Sequence, residues 1–226
     1  MKFKENNLLK KDLHIASLAL IMLYMSVKLT CNIIFFNHIE FNFMGFNFNM
    51  TYAAFLYPLV YVLMDRMVVC FGALWTVFIV LFGVLLDAAS SGMIASTSFL
   101  PIPSNLSSSD LIHTTSIHNI SLGVWSLFWH GLLGSIVAYL GELLLFNALY
   151  QKIFKKNFWL SSIASICTTM AIHNAICDYQ MFADSVNRWH LIISNYSVNL
   201  VVIIIYTTIL TFIGWDKQTL ANKIKQ

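Results

Sequence analysis

The chain has 226 residues, of which 58% are hydrophobic and only 10% charged, with a formal net charge of +3. An ordinary soluble domain is about one quarter charged, because its core must be covered by polar surface, so this composition and a mean hydropathy of +0.74 exclude a water-soluble globule and require lipid. The small positive excess argues against a nucleic-acid partner, and Cys31, Cys70, Cys167 and Cys177 lie in apolar stretches with no CxxC or partnered His spacing, so no metal or cofactor site is expected.

A bilayer core about 30 Å thick takes roughly 20 mainly apolar residues per helix. Six windows reach that length, near 13–36, 51–71, 73–95, 123–150, 158–183 and 190–214. The expected architecture is all-α: one polytopic transmembrane domain over 1–226, a six-helix bundle with both termini cytoplasmic. The first window follows Lys10-Lys11 like a signal peptide, yet it lacks an A-x-A-like cleavage site and further spans follow, so it reads as an uncleaved helix. Segment 37–50 is Asn-rich and aromatic but too short to span, which predicts an ordered external loop or a re-entrant piece. Segment 96–122 holds Pro101, Pro103 and Ser107-Ser108-Ser109 and is expected to be a long external loop.

Orientation follows from the basic residues of alternate loops. An inside N-terminus puts Lys2, Lys4, Lys10, Lys11, Arg66, Lys152, Lys155, Lys156, Lys217, Lys223 and Lys225 at the cytoplasmic face, eleven of the thirteen Lys and Arg. Arg188 falls outside and Lys28 lies within the first span, and an odd number of helices would spoil the bias. Trp75, Trp125, Trp129, Trp159, Trp189 and Trp215 all lie near proposed helix ends, where aromatic-belt residues belong.

An ionisable group inside a span costs about 2.5–3.5 kcal/mol on insertion scales. Lys28, Asp65, Asp87, His130, Glu142, His173 and Asp178 therefore each need a partner or a purpose. Pro58, Tyr61 and Asp65 share one face of the second helix, and a helix break at Pro58 would border a polar cavity; equally, Asp65 can pair with Arg66 or Lys28 near the interface. Gly131, Gly134, Ser135, Ala138, Gly141 and Glu142 form a small-residue stripe on the fourth helix that admits a close neighbour and turns Glu142 toward protein. Ser161, Ser165, Thr169 and His173 line the fifth helix with Asn174 and Asp178 beside them, and Asn195 and Asn199 line the sixth beside Tyr196. Such stripes serve either as interhelical fasteners or as the walls of a solvated cavity. His113 and His118 lack a helical metal-ligand spacing, and no HExxH, GxSxG, P-loop or dinucleotide fingerprint occurs, so a familiar enzyme is not expected.

The segment Tyr57-Pro58-Leu59-Val60-Tyr61-Val62-Leu63-Met64-Asp65, ending in Phe71-Gly72, resembles the aromatic-Pro-x-x-Tyr-x-x-x-Asp signature of the queuosine precursor transporters, a vitamin-uptake-like membrane family. Ala138-Tyr139-Leu140-Gly141-Glu142, continuing to Phe146-Asn147, is similar to that family's Ala-Tyr-x-x-Gly-Glu/Gln segment, and order and spacing agree over roughly residues 20 to 210. The family pattern often has an acidic residue where this chain has Val69, an Asp near His173 and a Lys near Asn199, so His173 and Asn199 are candidates for replacing an interhelical ion pair.

The resemblance implies an inner-membrane, multi-pass importer of 7-deazaguanines (preQ0, preQ1 or queuine) that serves queuosine salvage for tRNA modification. The chemistry of such a base is independent of the family: its edge offers adjacent N–H donors that a carboxylate accepts in a pair, and its face stacks on aromatic rings. Asp65 and Glu142 are the expected carboxylates, with Tyr61, Tyr139 and Tyr196 as stacking or hydroxyl partners and His173, Asn174 and Asn199 completing the site. Burial favours the neutral carboxyl, so proton coupling stays open beside facilitated transport. Two other classes stand against the transporter: a substrate-binding membrane subunit of an ATP-driven vitamin uptake system, and an intramembrane enzyme or assembly factor.

Overall fold

A computed structural model describes residues 2–43, 45–183 and 185–213, with side chains from residue 15 onward except that of Phe43. Lys217, Lys223, Lys225 and Trp215, and the side chains of Lys2, Lys4, Lys10 and Lys11, lie outside the described residues. Six helices are long and apolar enough to cross a membrane, in agreement with the six windows. They comprise α1 (Lys2–Ile34), α2 (Ala53–Phe71), α3 (Ala73–Ser96), α4 (Ser108–Ala148), α5 (Phe158–His173) with its continuation, and α7 (Arg188–Ile213). The continuation of α5 is a π-helical stretch over Asn174–Asp178 and the short α6 (Tyr179–Met181).

α2 is the axis of the bundle, in contact with α1, α3, α4, α5 and α7. Accordingly 61% of its most apolar window is buried, against 22% for the first span, whose outer face carries Ile15, Leu18 and Met22. Apolar side chains exposed all round the bundle, among them Leu74, Phe78, Leu85, Leu133, Leu144 and Phe212, mark the surface that meets lipid. Gly72, at φ +86°, is the single residue between α2 and α3, a left-handed position that suits glycine in so short a reversal.

Pro58 does not break α2, which runs through it without interruption. Its missing N–H leaves one carbonyl, that of Ala54, without its helical donor, and the helical bonds on either side carry α2 through. The long loop expected over 96–122 is also corrected. A 3₁₀ turn over Thr97–Phe99 is followed by irregular chain only as far as Ser107, and α4 starts at Ser108. Ser107 caps it, accepting from the Asp110 backbone N–H at 3.2 Å and donating to Asp110 Oδ2 at 2.6 Å. At 41 residues α4 is about 60 Å long, twice the hydrocarbon thickness.

Segment 37–50 is ordered as a β-hairpin. β1 (His38–Phe43) pairs antiparallel with β2 (Phe46–Thr51) in the register His38 to Thr51 and Phe43 to Phe46. The rings of Phe41 and Phe48, directly opposite, stack at 5.3 Å. β2 lies against α7, with Met50 buried among Ala54, Val198 and Val202. The Thr51 N–H donates to Asn195 Oδ1 at 3.1 Å.

Six alternating spans put the hairpin, the starts of α2, α4 and α7 and the end of α5 at one end of the bundle. The turn that carries Lys152, Lys155 and Lys156 lies at the other. Arg66 belongs to that second end: it donates to the Leu210 carbonyl near the close of α7, and its guanidinium covers the Phe158 ring at 3.6 Å.

Candidate functional site

In the hairpin half of the bundle the spans border a partly open cavity. Lys28 and Asn32 line it from α1, Ala54 and Tyr57 from α2, Asp87 from α3, and Gly131 and Ser135 from α4. His173, Asn174 and Asp178 complete it from the fifth span, and Asn195 and Asn199 from α7.

The fifth span enters the wall through its π turn. Gly131 and Gly134 of α4 make room for it: a Cβ on Gly134 would stand 2.3 Å from Cys177 Sγ, and one on Gly131 2.8 Å from Met181 Cε. The expected small-residue stripe thus admits the fifth span. The wider π turn presents His173, Asn174, Cys177 and Asp178 to the interior, all of them buried. Asp178 Oδ2 accepts from Asn195 Nδ2 at 3.0 Å, and Asn195 is held in turn by the Thr51 N–H of the hairpin. Three neighbouring polar atoms have no partner among the described residues: His173 Nδ1, Asn174 Nδ2 and Asn199 Oδ1. A buried polar atom left so costs about 1–3 kcal/mol, and the three residues that carry these atoms all line the cavity, which suits a ligand with both a donor and an acceptor.

Aromatic surface adjoins these groups. The Tyr57 ring stacks on the His173 imidazole at 4.6 Å and 28°. Its hydroxyl is 2.7 Å from that of Tyr139 and 3.4 Å from Ser135 Oγ. On the facing wall Lys28 Nζ donates to Asp87 Oδ2 and Asn32 Nδ2 to Asp87 Oδ1. Lys28 is therefore the counter-ion of a buried carboxylate, and its ammonium also sits 5.7 Å from the Tyr139 ring centre.

The residues expected to form one site fall into two layers. His173, Asn174 and Asn199 line the cavity. Asp65, Glu142, Tyr61 and Tyr139 are fully buried and do not belong to its lining. Ser162 Oγ donates to Asp65 Oδ2 at 2.6 Å, and the Thr169 hydroxyl donates to Glu142 Oε2. Tyr61 and Tyr139, at 5.4 Å centre to centre, separate the carboxyls from Tyr57. Tyr196 donates to the Cys167 carbonyl at 3.0 Å and is likewise outside the lining. His130, one of the costly groups of the fourth span, is exposed against the Ser126 carbonyl at 2.7 Å. Asp178, Asn195, Asp87, Asn32 and Tyr57 are wall residues that the sequence reading did not assign to the site. The first three were visible as polar or ionisable residues inside spans, and Tyr57 as the aromatic before Pro58.

No curated protein and no solved structure matches the chain. A family model does match it, over residues 51–213, from the hairpin's second strand to the last described residue of α7. That stretch is well over half of the 226 residues and holds most of the cavity wall as well as Asp65 and Glu142. The chain therefore belongs to the family described as Putative vitamin uptake transporter.

Proposed function

We propose that this protein imports queuosine precursors, 7-deazaguanines such as preQ0, preQ1 or queuine, across the inner membrane as a single transmembrane domain with cytoplasmic termini. The observation that carries the reading is the wall of the cavity: an aromatic stack of Tyr57 on His173 beside the Asp178 carboxylate and the partnerless amide groups of Asn174 and Asn199. A fused planar base has one face to stack and an edge with adjacent donors and acceptors. In this reading Asp178 accepts from the base's N–H edge, Asn174 Nδ2 donates to a base acceptor, and Asn199 Oδ1 accepts from an exocyclic or ring N–H.

The orientation supports import. With Arg66, Lys152, Lys155 and Lys156 on the cytoplasmic side, the cavity lies in the outer half of the bundle, behind the hairpin. A substrate entering there reaches a floor of buried rings, Tyr61 and Tyr139, and continues only when the spans rearrange, as alternating access requires.

The test is uptake of labelled queuine, preQ0 and preQ1 by cells that lack their own synthesis and import. Cells expressing this chain should accumulate at least one of the three and restore queuosine in their tRNA. Background accumulation of all three, with the protein confirmed in the membrane, would remove the substrate assignment.

A further inference from the structure

Beneath the cavity floor, about 10 Å further along α4 than Ser135, the carboxyls of Asp65 and Glu142 lie within hydrogen-bonding reach of each other. Both are completely buried. Each has one oxygen satisfied by a hydroxyl of α5, Ser162 on Asp65 Oδ2 and Thr169 on Glu142 Oε2. The other oxygen of each, Asp65 Oδ1 and Glu142 Oε1, has no donor among the described residues.

Two ionised carboxylates cannot make a hydrogen bond to one another, because both are acceptors only. Left ionised and in contact in a medium of low dielectric, they would repel strongly, and two buried lone-pair sites would stay unfilled. One proton removes both difficulties: it turns one carboxyl into a donor, supplies the missing hydrogen bond and leaves a single negative charge. The surroundings accept one charge. Arg66 acts electrostatically on Asp65 from the next position of α2. Of the other titratable groups, Tyr61 stands on the cavity side and Cys167 on α5, both within the electrostatic reach of Glu142. The remaining pair from α1 and α3, Lys28 and Asp87, is committed to itself.

We infer that Asp65 and Glu142 form a carboxyl pair that shares one proton and serves as the proton-binding site of the transport cycle, placed between the substrate cavity and the cytoplasmic end. Tyrosine side chains lie between the two. Tyr57 lines the cavity and is bonded to Tyr139, and Tyr61, whose hydroxyl has no partner among the described residues, packs between that couple and Glu142. A proton arriving from the cavity side is bound by the pair, which passes from two negative charges to one. It leaves toward the Arg66 end when the spans rearrange, and the pair returns to two. The link to uptake rests on the transport reading given above; the shared proton does not.

Infrared spectroscopy of the purified protein in lipid decides the shared proton without any substrate. The intact chain should show a protonated carboxyl C=O band at neutral pH that Asp65→Asn and Glu142→Gln each abolish or displace. Absence of the band in the intact protein, or a band that neither variant alters, overturns the pair. If either amide fails to fold, Thr169→Val, which removes the donor to Glu142 at nearly constant shape, must still move the band, and an unmoved band counts against it. Uptake into vesicles tests the coupling: with one proton carried per substrate, each unit of inward acidic gradient raises the equilibrium accumulation ratio about tenfold. Glu142→Gln and Asp65→Asn should bind base yet lose that dependence. Uptake by the intact protein that ignores the gradient refutes the coupling and leaves the transporter standing. A protein that takes up nothing refutes the transporter, while the infrared band still decides the pair.

Discussion

The two halves of the bundle bury polar groups in opposite ways. Toward the basic end, each carboxyl of the Asp65 and Glu142 pair is tied down by a hydroxyl from the same face of α5, and aromatic and aliphatic side chains close the rest. Toward the hairpin, Asp178, Asn195 and Thr51 form a fixed relay, yet His173, Asn174 and Asn199 keep polar atoms with no protein partner beside a cavity. Buried polar groups are expensive unless satisfied. The contrast separates a region whose open bonds a single proton can close from one whose bonding calls for a larger group that enters.

The comparison breaks most readily at the cavity's own ion pair. Lys28→Met should leave Asp87 buried without its cation and destabilise the protein by about 3–5 kcal/mol, seen as a large fall in thermal stability in detergent. Adding Asp87→Asn should recover most of the loss, and a double variant no better than the single would show that the two residues do not act as a pair. Next in size, Asp178→Asn should weaken base binding roughly ten- to hundredfold, the equivalent of a charge-assisted hydrogen bond worth about 1.5–3 kcal/mol. Asp65→Asn should leave binding nearly unchanged, because Asp65 lies outside the lining. Equal losses in the two variants would merge the layers that the structure separates.

Two smaller effects sharpen the picture. Gly134→Ala drives a methyl against Cys177 Sγ and should cost about 1–3 kcal/mol of stability through overpacking. Cys177→Ala in the same chain should relieve it, since the sulfur is the atom approached most closely. Smallest is Tyr57→Phe, which keeps the stack on His173 and removes the hydroxyl bond to Tyr139, for about 0.5–1.5 kcal/mol. A larger loss of binding than of stability in that variant would assign the hydroxyl to the substrate as well.

Hydropathy alone located all six spans, because a stretch that must satisfy its backbone within lipid announces itself by length and apolarity. The hairpin was signalled less plainly. Phe46-Asn47-Phe48-Asn49-Met50 alternates with the period of a strand, but shortness between two spans favoured reading it as a loop. The start of α4 was hidden by the serines around it, although Ser107 three residues before Asp110 is a capping signature. Within the site, the polar stripes on the fifth and last spans were legible, and their division was not. Ser162 and Thr169 turn to the carboxyl pair, whereas Asn174, Asp178, Asn195 and Asn199 turn to the cavity, and the π turn at Asn174–Asp178 that helps to swing them there leaves no mark in residue spacing. Lys28 could be recognised as needing a partner, but only the packing of α1 on α3 selects Asp87 over the other carboxylates.

Equilibrium binding of labelled queuine, preQ0 and preQ1 to the purified protein in lipid nanodiscs reaches the central claim most directly, with Asn199→Leu and Asp178→Asn measured alongside. The account predicts saturable binding of at least one base to the intact chain, displaced by unlabelled base and weakened at least about tenfold in each variant. Undiminished binding in both variants, or none in the intact protein, would contradict it.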